Sequence, residues 1–113
     1  MKIVKCKNGN VSIVLKEVED VSDKIIRSNS VDASFEKHVP MYEINDNKVL
    51  IYVNHVMEED HYIEWIMVDY GDSYYIKEFK PGDEARVVVD YKIGMKAYSY
   101  CNKHSLLVCE DIK

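Results

Sequence analysis

Tyr62-Ile63-Glu64-Trp65-Ile66-Met67-Val68 decides the fold. A run this rich in β-branched and aromatic residues reads as a half-buried strand. Leading into it, Val53-Asn54-His55-Val56-Met57-Glu58-Glu59-Asp60-His61 holds two of the chain's four histidines and an acidic segment unsuited to a core. The whole stretch therefore reads as a loop carrying two candidate metal ligands, with the strand fixing His61 at its mouth. Strict alternation along the strand assigns Ile63, Trp65 and Met67 to one face.

Working outward, short apolar runs recur at regular intervals: Val39 to Ile44, Val49 to Val53, Tyr62 to Tyr70, Tyr74 to Phe79, Ala85 to Tyr91 and Ala97 to Tyr100. Turn formers separate nearly all of them, namely Asn45-Asp46-Asn47, Gly71-Asp72-Ser73, Pro81-Gly82-Asp83 and Gly94. Ala85, Val87, Val89 and Tyr91 form one buried face, and no segment has a convincing helical period. The expected fold is all-β, an immunoglobulin-like antiparallel β-sandwich. Ahead of it, Ile3-Val4-Lys5-Cys6 and Val11-Ser12-Ile13-Val14-Leu15 flank an Asn8-Gly9 step, the signature of a hairpin. The pattern then weakens towards Ser28-Asn29-Ser30. The chain accordingly divides into residues 1–28, a short hairpin appendage, and residues 29–113, the main domain.

The 113 residues carry a net charge of -5 without any basic run, which argues against nucleic acid and against an anionic membrane surface. No apolar stretch approaches the roughly 20 residues of a membrane span, and the opening residues have no apolar signal core. A cytoplasmic location is expected. In that reducing compartment the three cysteines, an odd number, read as thiols or ligands and not as a disulfide framework.

Imidazole and thiolate together suit zinc, iron and copper. The ligand-type residues are His38, His55, His61, His104 and Cys101. Four ligands would close a structural zinc site, whereas five leave one face open, as a redox iron can use. Taken singly the signals are weak: two histidines spaced like His55 and His61 are more often surface residues, and Cys101-x-x-His104 is a modest metal motif.

In combination they are specific. Glu36-Lys37-His38-Val39-Pro40, His55-x-Met57-x-x-x-His61-Tyr62-Ile63-Glu64-Trp65, Lys80-Pro81-Gly82-Asp83 and Tyr100-Cys101-Asn102-x-His104 occur in an order that resembles the superoxide reductase (neelaredoxin/desulfoferrodoxin) family, over roughly Asn29 to Val108. The resemblance implies one mononuclear non-haem iron per chain, with His38, His55, His61 and His104 equatorial, Cys101 axial and the sixth position open. It implies one-electron reduction of superoxide to hydrogen peroxide, an external rubredoxin-like electron donor and a homo-oligomer, dimer or tetramer. Lys37 would attract the anion and assist protonation, and Glu36 would occupy the open position in the oxidised resting state.

Two departures stand out. The opening resembles the family's desulforedoxin-like unit but keeps only Cys6 of its four iron-binding cysteines, so residues 1–28 read as a metal-free vestige serving packing or dimerisation. Lys103 stands where the family usually has an apolar residue. The competing functions are an iron-dependent redox sensor or electron-transfer module, and a structural metal-binding sandwich without turnover.

Overall fold

The computed structural model describes residues 2–5, 10–14, 24–25, 39–102 and 105–109. Among them are ten strands: β1 (Lys2–Lys5), β2 (Val11–Val14), β3 (Lys24–Ile25), β4 (Met41–Asn45), β5 (Lys48–Tyr52), β6 (Ile63–Asp69), β7 (Tyr74–Glu78), β8 (Arg86–Asp90), β9 (Lys96–Cys101) and β10 (Ser105–Cys109). They form a four-stranded sheet in the order β10-β9-β6-β7, a three-stranded sheet β4-β5-β8 and a small sheet β2-β1-β3. All the pairings are antiparallel. The expected β-sandwich is present, and no helix among the described residues is long and apolar enough to cross a membrane.

Alternation builds the core. On β8, Val87 and Val89 turn inward while Val88 is 62% exposed, and Ala85 and Tyr91 join the same packed face, as the sequence pattern predicts. Opposite them, β5 contributes Val49 and Ile51. The four-stranded sheet contributes Ile63, Ile66, Val68, Ala97 and Cys101 to the same cluster. Each fully buried aliphatic side chain stabilises the fold by about 1.5–3 kcal/mol.

The face assignment of β6 departs from expectation. Ile63 packs in the inter-sheet core with Ile66 and Val68, whereas Trp65 and Met67 face the other way, towards Tyr98 and Tyr100. The cause is a bulge: Ile63 pairs with Cys101 and Trp65 with Tyr100, so two steps on β6 match one on β9 and Glu64 is the extra residue. One inserted residue reverses the inward and outward sense on its two sides.

The outer face of the four-stranded sheet is covered in turn by the N-terminal hairpin. β1 and β2 pair from Lys2↔Val14 to Lys5↔Val11, as the Asn8-Gly9 signal predicts. Ile3, 2% exposed, packs with Met67, Tyr98 and Tyr100, with Val11, Trp65 and Tyr74 at the margin. Strand β3, which pairs with β1 through Val4↔Ile25 and Lys5↔Lys24, has too few residues to leave a periodic signal.

Candidate metal centre

The bulge on β6 is where the candidate site begins. It turns Ile63 inward opposite Cys101, the last residue of β9, whose side chain is 1% exposed and belongs to the core cluster. Ahead of Ile63 the chain makes a tight turn in which Glu58 and His61 exchange backbone hydrogen bonds of 2.9 and 3.1 Å. The acidic residues Glu58, Glu59 and Asp60 stay exposed on this turn, and His61 emerges at its base, half-buried.

Two neighbouring elements hold that loop. The Ile63 N–H donates to the Met57 thioether at 3.4 Å. Gly82, at φ +89°, donates its N–H to the Met57 carbonyl at 2.8 Å. That backbone conformation is one few side chains tolerate, which accounts for glycine in Lys80-Pro81-Gly82-Asp83. Asp83 closes the same turn by accepting the Lys80 N–H at 2.8 Å.

His55, His61 and Cys101 converge, with one ligand atom of each lying within 4.8 Å of the others. The rings of His55 and His61 meet edge to face, centroids 4.6 Å apart and planes at 88°. His55 Nδ1 lies against the Val56 carbonyl, an acceptor-only group that favours the proton on Nδ1. Its Nε2 lies 3.5 Å from Cys101 Sγ. A second-atom hydrogen bond of this kind is how proteins fix the tautomer of a metal-binding imidazole.

The spacing suits one ion. Metal–nitrogen and metal–sulfur bonds of about 2.1 and 2.3 Å put neighbouring donors about 3 Å apart and opposite donors a little over 4 Å apart. The donor set of two imidazoles and a thiol suits zinc, iron or copper.

A residue that sequence reasoning took only as part of a motif also contributes. The Asn102 side chain accepts the Tyr62 N–H at 3.0 Å and donates to the Asp60 carbonyl at 2.9 Å, while its backbone N–H donates to the Tyr62 carbonyl at 3.3 Å. Its Oδ1 also lies 3.9 Å from Cys101 Sγ. On the other face of the sheet from Cys101, Tyr100 stacks on Trp65 at 5.5 Å. Burial, reinforced by the charges of Glu64 and Cys101, pushes the Tyr100 phenol above its ordinary value, so it remains a neutral O–H. A cleft of about 410 Å³ borders His55 and Met57 and is walled by Tyr52, Asn54, Glu84 and Arg86. Glu36, Lys37, His38 and His104 lie outside the described residues.

The comparison with known proteins decides the family. The model of the desulfoferrodoxin family matches residues 30–110. The chain belongs to the desulfoferrodoxin family. A desulfoferrodoxin homolog of Archaeoglobus fulgidus is 40% identical over 89 residues, covering 74% of this chain and 70% of that protein. The desulfoferrodoxin of Desulfarculus baarsii is 36% identical over 106 residues, covering 90% and 82%. The superoxide reductase structure from Treponema pallidum superimposes with a TM-score of 0.70 over 96% of this chain and 99% of that one; at 22% identity this likeness carries the fold. The superoxide reductase from Nanoarchaeum equitans, 28% identical, gives a TM-score of 0.54 over 66% and 91%. Desulfoferrodoxin membership thus agrees with both the β-sandwich and the histidine–cysteine cluster.

Proposed function

We propose that this chain is a superoxide reductase that converts superoxide, one electron and two protons into hydrogen peroxide. The observation carrying this reading is the convergence of His55 Nε2, His61 and the buried Cys101 Sγ in one donor cluster. On the family resemblance His38 and His104 complete the ligand set, giving four imidazoles and one thiolate around a single iron. Bound there, iron would supply the electron and take up a small anion, and a rubredoxin-like donor protein would restore the electron.

The chain's own residues set the conditions. The Val56 carbonyl favours one tautomer of His55, and His61 is set by the turn beneath it. Neutral imidazoles add no charge, so a divalent cation with one thiolate keeps a net charge of +1 that favours an anionic substrate. The inter-sheet core around Cys101 keeps water from the sulfur and strengthens its electrostatic pull on the ion. Lys37 would draw superoxide in and assist protonation, and Glu36 would ligate the oxidised resting ion. Residues 1–28 form a metal-free remnant of a desulforedoxin-like unit; the packing of Ile3 on Met67, Tyr98 and Tyr100 supports a packing role. A homo-oligomer in the cytoplasm completes the reading.

Metal analysis of protein expressed with ample iron tests it. One iron per chain is expected, with a ferric-thiolate charge-transfer band in the oxidised protein and rapid superoxide decay without evolution of oxygen. Two irons per chain, or stoichiometric zinc, would defeat the proposal.

Lys37→Ala should slow the reaction with superoxide about tenfold at low salt and flatten its salt dependence. On a chain of net charge -5 the anion depends on local positive charge, screened over about 10 Å at 0.1 M salt. Stopped-flow rates across a salt series decide the matter; equal low-salt rates for variant and wild type would sink the steering role.

A further inference from the structure

We propose that Asn102 is a positioning residue for the His61–Cys101 pair, its side-chain amide fastening the loop that carries His61 to the strand end that carries Cys101. The inference rests on the reading of His61 and Cys101 as ligands of one ion.

Their relative placement needs a device. Cys101 is fixed by the core and by the β9 ladder, whereas His61 sits on a turn closed within itself through Glu58. The ladder between β6 and β9 is disturbed where the two meet, because the bulge separates the Ile63↔Cys101 pair from Trp65↔Tyr100. Asn102 supplies bonds across this junction. Oδ1 accepts from the Tyr62 N–H at 3.0 Å, Nδ2 donates to the Asp60 carbonyl at 2.9 Å, and the Asn102 N–H donates to the Tyr62 carbonyl at 3.3 Å. These three bonds engage the residues on either side of His61. The backbone of His61 is therefore bracketed on both flanks by the residue that follows the thiol.

The amide is chemically selected. One side chain must accept from an N–H and donate to a C=O at the same time, at short reach from the strand. Ionised aspartate only accepts, alanine does neither, and glutamine adds a methylene that displaces both groups. Groups bonded directly to a metal ligand contribute about 10- to 100-fold to metal affinity, and Asn102 acts on His61 through its two chain neighbours.

Cobalt(II) binding to the reduced full chain is the test, followed by thiolate-to-cobalt charge-transfer absorption and by competition with a chelator. Asn102→Ala should weaken cobalt(II) affinity about 10-fold while wild type shows the thiolate band. In a His61→Ala background the same substitution should cost less than about twofold, because Asn102 then has no imidazole to position. Should Asn102→Ala fail to fold, Asn102→Asp serves instead. It keeps an oxygen at the Tyr62 N–H but sets another against the Asp60 carbonyl, and is expected to weaken binding at least about fivefold. An unchanged affinity in the folded variant overturns the inference, as does an equal loss in the His61→Ala background, which marks a general effect on stability. A wild-type protein without the thiolate band overturns the reading of the metal site itself, and is a separate result.

Discussion

Cys101→Ser is expected to abolish the ferric-thiolate absorption and to lower superoxide reduction by at least about 100-fold, equivalent to about 2.7 kcal/mol of barrier. A serine hydroxyl is too weak an acid to present an anionic ligand, and it cannot supply the electron density that a thiolate gives a redox metal. The same change can be separated from misfolding. Cys101 is 1% exposed and packs within the inter-sheet core, so a hydroxyl there costs about 1–3 kcal/mol if left unpaired. That cost is well below the stability of an ordinary domain, about 5–15 kcal/mol. The variant should therefore fold, with a modestly lower urea midpoint and an unchanged dependence of stability on urea. An unchanged spectrum would remove Cys101 from the site, and a chain that folds and still turns over superoxide at the wild-type rate would refute its catalytic part.

Much of the sandwich was legible because its strands obey a period of two. On β8 the exposed Val88 sits between the buried Val87 and Val89, and the sequence carries the same alternation. Turns were legible for a similar reason: Asp46 takes a left-handed conformation at φ 57° between β4 and β5, and Gly71, Gly82 and Gly94 take positive φ where the apolar runs break. The hairpin of β1 and β2 followed from Asn8-Gly9, since that dipeptide favours the turn that matches strand twist. By contrast β3 has only Lys24 and Ile25, too short for a pattern.

The candidate site was legible as chemistry and much less as geometry. Histidine and cysteine types mark a metal, and His55, His61 and Cys101 do converge. What fixes them is encoded in bonds without a periodic trace. Asn102 reaches back across 40 residues to Tyr62 and 42 to Asp60, and nothing local in Cys101-Asn102 marks those partners. Met57 enters the sequence reading only as part of the motif around His55 and His61, and nothing in that motif marks its thioether as the acceptor of the Ile63 N–H. Family resemblance alone supplies the roles assigned to Glu36 and Lys37, and it adds the fourth and fifth ligands, His38 and His104, which residue type only nominates.

The bulge at Glu64 is the feature on which strand and site both depend, and removing Glu64 is expected to destroy the metal site while replacing it leaves the site intact. With Glu64 present, Ile63 turns into the core beside Cys101 while Trp65 and Met67 pack under the N-terminal hairpin. Without it, β6 alternates strictly, and the two sides can no longer both keep their faces. Residues Ile66 to Asp69 are fixed by pairing to both β7 and β9, so the short segment before the deletion should yield. Ile63, now 0% exposed, would be driven from the core at a cost of about 2–3 kcal/mol, and His61 would be displaced from Cys101. Glu64→Ala keeps the residue count, the bulge and the backbone carbonyl that accepts the Phe79 N–H at 2.9 Å. The Glu64 deletion should therefore lose the cobalt(II)-thiolate band and show a clearly lower urea midpoint, whereas Glu64→Ala should keep the band. Retention of wild-type cobalt(II) affinity by the deletion variant would show that the bulge does not place His61, whatever the change in stability.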